Sequence, residues 1–162
     1  MNQIIPKETL GLAGEFAVAS ELCRRGIYAQ LTLGNRKRTD LLVETEDSML
    51  RVQVKSKQKR GWPGVRGVSG ADIILVLVDF ENKEPTARPD FYLMNPKDWA
   101  KVINARLVKP GLVKRKQVSI DPNNVPAFKD GFVGMEIRAT DVQHFKERWE
   151  RIESIIFSKH DD

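Results

Sequence analysis

Most of the signatures by which an enzyme or binding protein is recognised are missing from this chain. It has one cysteine, Cys23, and two histidines, His144 and His160, in 162 residues. A lone cysteine excludes an internal disulfide and any multi-cysteine zinc pattern. It suits a reducing cytoplasm, with Cys23 expected as a small core residue of an apolar helix rather than a nucleophile. Neither histidine stands in a metal-ligand spacing. There is no Gly-rich phosphate loop, no internal repeat and no Ser-His-Asp set that can be placed. No apolar run is long enough to span a bilayer, and Met1 to Lys7 lacks the basic and apolar regions of a signal peptide, so no membrane partner is expected.

What is present bounds the answer. A hydrophobic content of 41% suits one globular domain with a real core, placed at residues 1–157, with 158–162 as a frayed tail. The net charge of +5 and the pI of about 9.4 favour an anionic partner, nucleic acid first.

Pro6 and Glu8 suit a helix start, and residues 8 to 25 read as a helix ended by Gly26. In it, Glu15 shares a face with Leu12, Ala19 and Leu22, where an unpaired charge needs a cation or a hydrogen-bond partner. Ile27 to Leu33 reads as a strand and Gly34-Asn35 as a turn. Ala71 to Phe80 is nearly all apolar, as expected at the centre of a sheet covered on both faces, with Asp72 in the turn at its start. Phe91 to Met94 is a further strand, and Asn95-Pro96 caps a helix predicted through Arg106. Gln117 to Ile120 is another short strand-like run, and residues 121–134 read as an irregular surface loop. From Thr140 a final helix is predicted, with Val142, Phe145, Trp149, Ile152 and Ile156 as an apolar seam for the core or for a second chain.

The chemistry concentrates between Thr39 and Lys57. Two β-branched and apolar runs flank Thr45-Glu46-Asp47-Ser48, the pattern of a β-hairpin. Asp40 opens the first strand. Gln53 and Lys55 lie two apart on the second and so share a face, opposite Val52 and Val54. A carboxylate, an amide oxygen and an ammonium can meet at one end of a sheet. That set suits phosphodiester cleavage, since a hard divalent cation takes oxygen ligands and a lysine can hold water.

Asp40, Gln53 and Lys55, with Glu15 on the preceding helix, resemble the PD-(D/E)XK nuclease superfamily, the restriction-endonuclease-like fold. Thr39 stands where that family's proline would be, and Gln53 replaces the usual glutamate, which is similar to the Gln-x-Lys form of the Mrr-type branch. The order of the elements also resembles archaeal Holliday-junction resolvases, over roughly residues 8 to 80. The resemblance implies an α/β domain with a mixed central sheet flanked by helices. It implies a Mg²⁺- or Mn²⁺-dependent DNA endonuclease with Asp40 as central ligand. Glu15, the Gln53 side-chain oxygen and the Val54 carbonyl would complete the metal shell, and Lys55 would orient the attacking water.

Around this motif lie Arg36, Lys37 and Arg38 before Asp40, and Lys57, Lys59, Arg60 and Trp62 after Lys55. Beside a metal site, these cations would neutralise DNA phosphates, and Trp62 would either stack on a base or act as a hydrophobic lid on the sheet edge. A second basic cluster, Lys114-Arg115-Lys116, lies further on. A homodimer is the simplest way to cut both strands of a duplex. The rival from another class is a catalytically inactive restriction-endonuclease-like module that only binds nucleic acid, and the neutral Gln53 keeps it open.

Overall fold

The computed structural model describes residues 4–32, 39–45 and 48–157. In chain order the helices are α1 Lys7–Arg24, α2 Pro96–Ile103 and α3 Glu150–Phe157. The strands are β1 Ala29–Leu31, β2 Leu41–Glu44, β3 Met49–Lys57, β4 Gly61–Val65, β5 Ile73–Asp79, β6 Asp90–Met94, β7 Val118–Ile120, β8 Pro126–Phe128 and β9 Met135–Arg138. Five of them form one mixed sheet in the order β1-β2-β3-β5-β6. All its pairings are antiparallel except β3 with β5. The expected α/β architecture, a mixed sheet with helices on its faces, is the one found.

Alternation along β5 divides the core in two. Ile74, Val76 and Val78 face α1, where they meet Val18, Leu22, Val52 and Val54. Ile73, Leu75 and Leu77 face the other way, into Trp62, Tyr92, Trp99 and Ile137. All seven residues of β5 are buried, which is why its sequence is continuously apolar. The middle place in the sheet nevertheless belongs to β3, with β5 beside it. Asp72 is exposed just before β5, and its carbonyl accepts the Arg51 N–H at 2.9 Å, a strand-start role as expected.

Local signals set the helix ends. Gly26 takes φ +75°, and the Ile27 and Gly26 N–H groups return to the carbonyls of Leu22 and Cys23 at 3.0 Å, a Schellman closure of α1. Asn95 and Asp98 form a reciprocal capping box at the start of α2, with Pro96 in its first turn. The helix changes to a π-helical turn at Asn104–Val108.

Several expectations are corrected. Cys23 is exposed rather than in the core, because α1 turns Leu22 inward at 0% exposure instead. The first strand is only three residues long. The 121–134 segment is not wholly irregular, since β8 within it pairs with β7. The final helix begins at Glu150 rather than at Thr140. Two 3-10 turns, Ala139–Asp141 and Gln143–Phe145, are followed by extended Lys146 and by Glu147 at φ +56°. There the chain rounds the β6 edge, with Lys146 bridged to Tyr92. Val142 and Phe145 therefore enter the core on one face of the sheet, and Trp149 and Ile152 the core on the other. The seam is used for core packing, but not as one helix.

Ionic contacts lock this wrap. Arg88 bridges Glu21 at 2.9 Å and Glu147 at 2.7 Å, and the Arg25 guanidinium lies 4.2 Å over the Trp149 ring. Among the described residues, no helix is long and apolar enough to cross a membrane. The expected turn at Gly34-Asn35 and the tail at 158–162 lie outside the described residues.

Candidate active site

Asp40 stands where the β2–β3 ladder opens. Its N–H donates to the Val52 carbonyl at 2.9 Å, next to the Leu41–Val52 pair. At the next outward position on that edge of β3, the Asp40 carboxylate takes the backbone N–H. Its Oδ2 accepts the Val54 N–H at 2.6 Å, at the short end for a charge-assisted bond. Within a strand the N–H and C=O of one residue lie on the same edge. The Val54 carbonyl therefore faces the same edge, beside Asp40.

Helix α1 brings Glu15 to this edge. A Cβ on Gly14 would stand 1.9 Å from Ser56 Oγ and 3.5 Å from a Val54 methyl, so only a hydrogen fits and the helix rests directly on β3. Among the described residues, the buried Ser56 Oγ there has no hydrogen-bond partner. Of the neighbours expected on the Glu15 face, Ala19 and Leu22 are buried while Leu12 is 47% exposed. Glu15 thus lies on the border of the apolar face and is half-buried. Burial, and next the negative charge of Asp40, push its carboxyl above the usual carboxylate range, while the Lys55 ammonium pulls it partly back.

Those causes place Glu15, Asp40 and Lys55 within one electrostatic neighbourhood. Lys55 is exposed and leaves β3 on the face away from α1, opposite Val54. Among the described residues neither Glu15 nor Asp40 has an ion-pair partner within 4.0 Å. Two carboxylates that repel one another, beside a backbone carbonyl, form an oxygen donor set that fits a hard divalent cation such as Mg²⁺ or Mn²⁺. No group of three or more His, Cys, Asp and Glu residues gathers among the described residues. A cation here would therefore rely on the carbonyl, an amide and water.

Gln53 is only 9% exposed. It sits on the Lys55 face, where it lines a small cleft with Arg51 and Arg66. Alternation along β3 makes Arg51 legible as a member of the Gln53–Lys55 face. Arg66 arrives from the loop after β4, which no spacing rule connects to β3.

Two residues assigned to nucleic-acid contact are corrected. Lys57 is 2% exposed, and its ammonium is held by Asp79 and Glu81, each at 2.7 Å, with the Lys59 carbonyl at 3.0 Å. Alternation turns it inward, opposite Asp79 on β5. Trp62 is 1% exposed. Its indole packs edge-on against Tyr92 at 5.7 Å, and its Nε1 donates to the Val78 carbonyl at 3.1 Å. It is a lid over the sheet, not a stacking platform. Lys59 and Arg60 are exposed between β3 and β4. Arg36, Lys37 and Arg38 lie outside the described residues.

No protein-family model and no curated protein matches this chain. Its fold is similar to that of a solved bacterial homing endonuclease, I-Ssp6803I, with a TM-score of 0.50 and 16% sequence identity. The match covers 93% of this chain and 94% of that one, so the likeness extends over the whole architecture built around the β2–β3 edge.

Proposed function

We propose that this protein is a metal-dependent endonuclease that hydrolyses phosphodiester bonds in DNA. The observation that carries the reading is the Asp40 carboxylate bonded to the Val54 backbone edge, with α1 seated on β3 through Gly14, the residue before Glu15. Its support is the fold, similar to a protein described as a homing endonuclease, and the net charge of +5, which suits a polyanionic substrate. The substrate-cutting unit is proposed to be a homodimer, so that each copy serves one strand of a duplex.

Asp40 and Glu15 would hold Mg²⁺ or Mn²⁺ together with the Val54 carbonyl and the Gln53 side-chain oxygen. When bound, the cation supplies charge neutralisation at the phosphate and a more acidic water. Asp40 is already oriented by the Val54 N–H, so its free oxygen needs little reorganisation. Lys55, exposed at the mouth of the site, donates hydrogen bonds to a water aligned on the phosphorus and to the phosphate oxygens as charge builds on them. Gln53 is neutral, so the donor set carries one negative charge fewer than the acidic form of the pattern, and weaker cation affinity follows.

The test is cleavage of labelled duplex, single-stranded, nicked, flapped and four-way-junction DNA, and of RNA, with Mg²⁺ or Mn²⁺, by the wild type and by Lys55→Ala. Metal-dependent cutting that the variant loses is expected. Binding by both proteins with cutting by neither would instead favour the inactive DNA-binding module, a reading that the neutral Gln53 amide among arginines supports.

A further inference from the structure

The N-terminal half of β3 carries a second place for an anion, next to the proposed cutting site but separate from it. A cleft of about 70 Å³ opens between β3, the Arg66–Ser69 loop and the turn at Asn123–Val125. Its polar lining consists of Arg51, Gln53, Arg66, Ser69 and Asn123, without a carboxylate. Among the described residues neither arginine takes part in an ion pair, so two arginines line the same small space without a counter-charge there.

The cleft is built rather than incidental, because one buried side chain pins both of its walls. Trp99 has 0% exposure. Gly67, at φ +75°, lies so close to its indole that a Cβ would be 2.0 Å from Nε1. The same Nε1 donates to the Asn124 carbonyl at 2.9 Å. The turn is fixed from within as well, since Asp121 Oδ1 accepts the N–H groups of Asn123 and Val125, both at 2.8 Å. The Arg51 guanidinium passes beside Gly70, the residue after the Arg66–Ser69 loop, where a Cβ would lie 3.6 Å away.

We propose that the Arg51–Gln53–Arg66 cleft binds a backbone phosphate of the nucleic-acid strand, a few nucleotides from the bond that is cut. Arg51 and Lys55 lie four residues apart, about 13 Å along the strand, and one DNA strand rises by about 3.4 Å per nucleotide. A strand following β3 can therefore occupy both places. Arginine, serine and asparagine are ordinary phosphate donors. The cleft also gives the glutamine a physical reason. A carboxylate at residue 53 would pair with the two arginines and repel the phosphate, whereas a neutral amide leaves the arginines free and can itself donate a hydrogen bond to an anion.

This inference rests on the nuclease reading for the identity of its ligand, and its test is arranged so that the two can fail separately. Binding of labelled duplex DNA to the full chain is followed by fluorescence anisotropy in EDTA across a KCl series, without turnover. For Arg51→Gln/Arg66→Gln the slope of log K against log salt should shrink by about 0.9 for each phosphate that is no longer neutralised, with an unchanged melting temperature. Gln53→Glu should weaken binding in the same buffer. Lys97→Gln/Lys109→Gln, which removes equal charge elsewhere, should leave the slope within error. An unchanged slope in the arginine variant, or an equal fall in the control, overturns the proposal. So does calorimetric binding of inorganic phosphate that the arginine variant loses while its DNA slope is intact, because the cleft would then hold a free anion. Cleavage by the wild type with no slope change removes the cleft but leaves the nuclease. A slope change without cleavage of any substrate does the reverse.

Discussion

The Asp40 carboxylate accepts the Val54 N–H at 2.6 Å, so one side chain is tied to the β3 backbone just past the Leu41–Val52 pair. Structure and chemistry can be separated at this position. Asp40→Asn retains an oxygen for the Val54 N–H, and unfolding in urea should change by less than about 1 kcal/mol. Cleavage should fall more than about a hundredfold, since the cation's contribution is worth several kcal/mol. Asp40→Ala loses the acceptor too, and about 1 kcal/mol more of stability is expected to go with it. If Asp40→Asn cuts DNA normally, Asp40 is not a ligand.

Glu15 is partly desolvated, and Asp40 repels it as well, which raises its pKa. A carboxyl whose folded pKa is raised costs stability when ionised, a cost present at neutral pH and relieved as pH falls below the folded value. Glu15→Gln should therefore stabilise the metal-free protein by about 0.5–1 kcal/mol. Mn²⁺ at a hundred times its dissociation constant should stabilise the wild type by about 2.7 kcal/mol, and the variant much less. Melting curves in EDTA and in Mn²⁺ read both effects. Equal responses of the two proteins to Mn²⁺ would remove Glu15 from the site.

Lys57 and its neighbours Lys59 and Arg60 should behave oppositely. Lys57→Met strands Asp79, whose side chain is 9% exposed, and a loss of about 3–5 kcal/mol is expected for breaking a buried pair. DNA affinity per folded molecule should not change. Lys59→Gln/Arg60→Gln, at exposed positions, should leave stability within about 0.5 kcal/mol. It should reduce the salt dependence of DNA binding by about 0.9 for each phosphate that these side chains neutralise in the wild type. Denaturation and anisotropy on the same preparations separate the two behaviours.

Glu21 supplies a pH signature. Its hydrogen bonds from Arg88, and then from Arg25, hold its carboxyl at about 2, down from 4.5. A depressed carboxylate stabilises the fold above its unfolded pKa, and that contribution is lost as pH falls from 4.5 toward 2. Glu21→Gln should cost about 1.5–3 kcal/mol at pH 7, as for a charged hydrogen bond. Wild type and variant should converge in stability at the acid end of that window. A gap that persists there would mean that Glu21 acts through packing rather than charge.

The local part of this protein is legible from residue order alone. Alternation over residues 39–57 specifies the hairpin and the shared face of Gln53 and Lys55, because side chains on a strand have a period of two whatever the rest of the chain does. Gly26 and the Asn95-Pro96 pair mark helix ends for the same local reason. The seam from Val142 to Ile156 shows the limit. Its spacing reads as one helix, yet Val142 and Trp149 lie in different cores. Spacing records that residues are buried, not which side of a sheet buries them. Lys57 and Trp62 are cationic and aromatic in a basic stretch, as a DNA contact would be. Only tertiary pairing buries them, since β5 sets Asp79 opposite Lys57 and β9 sets Ile137 opposite Trp62. The neighbourhood of Glu15, Asp40 and Lys55 and the meeting of Arg51 with Arg66 were decided by tertiary structure. Both depend on segments distant in sequence being held by packing, Gly14 against Ser56 in one case and Gly67 against Trp99 in the other.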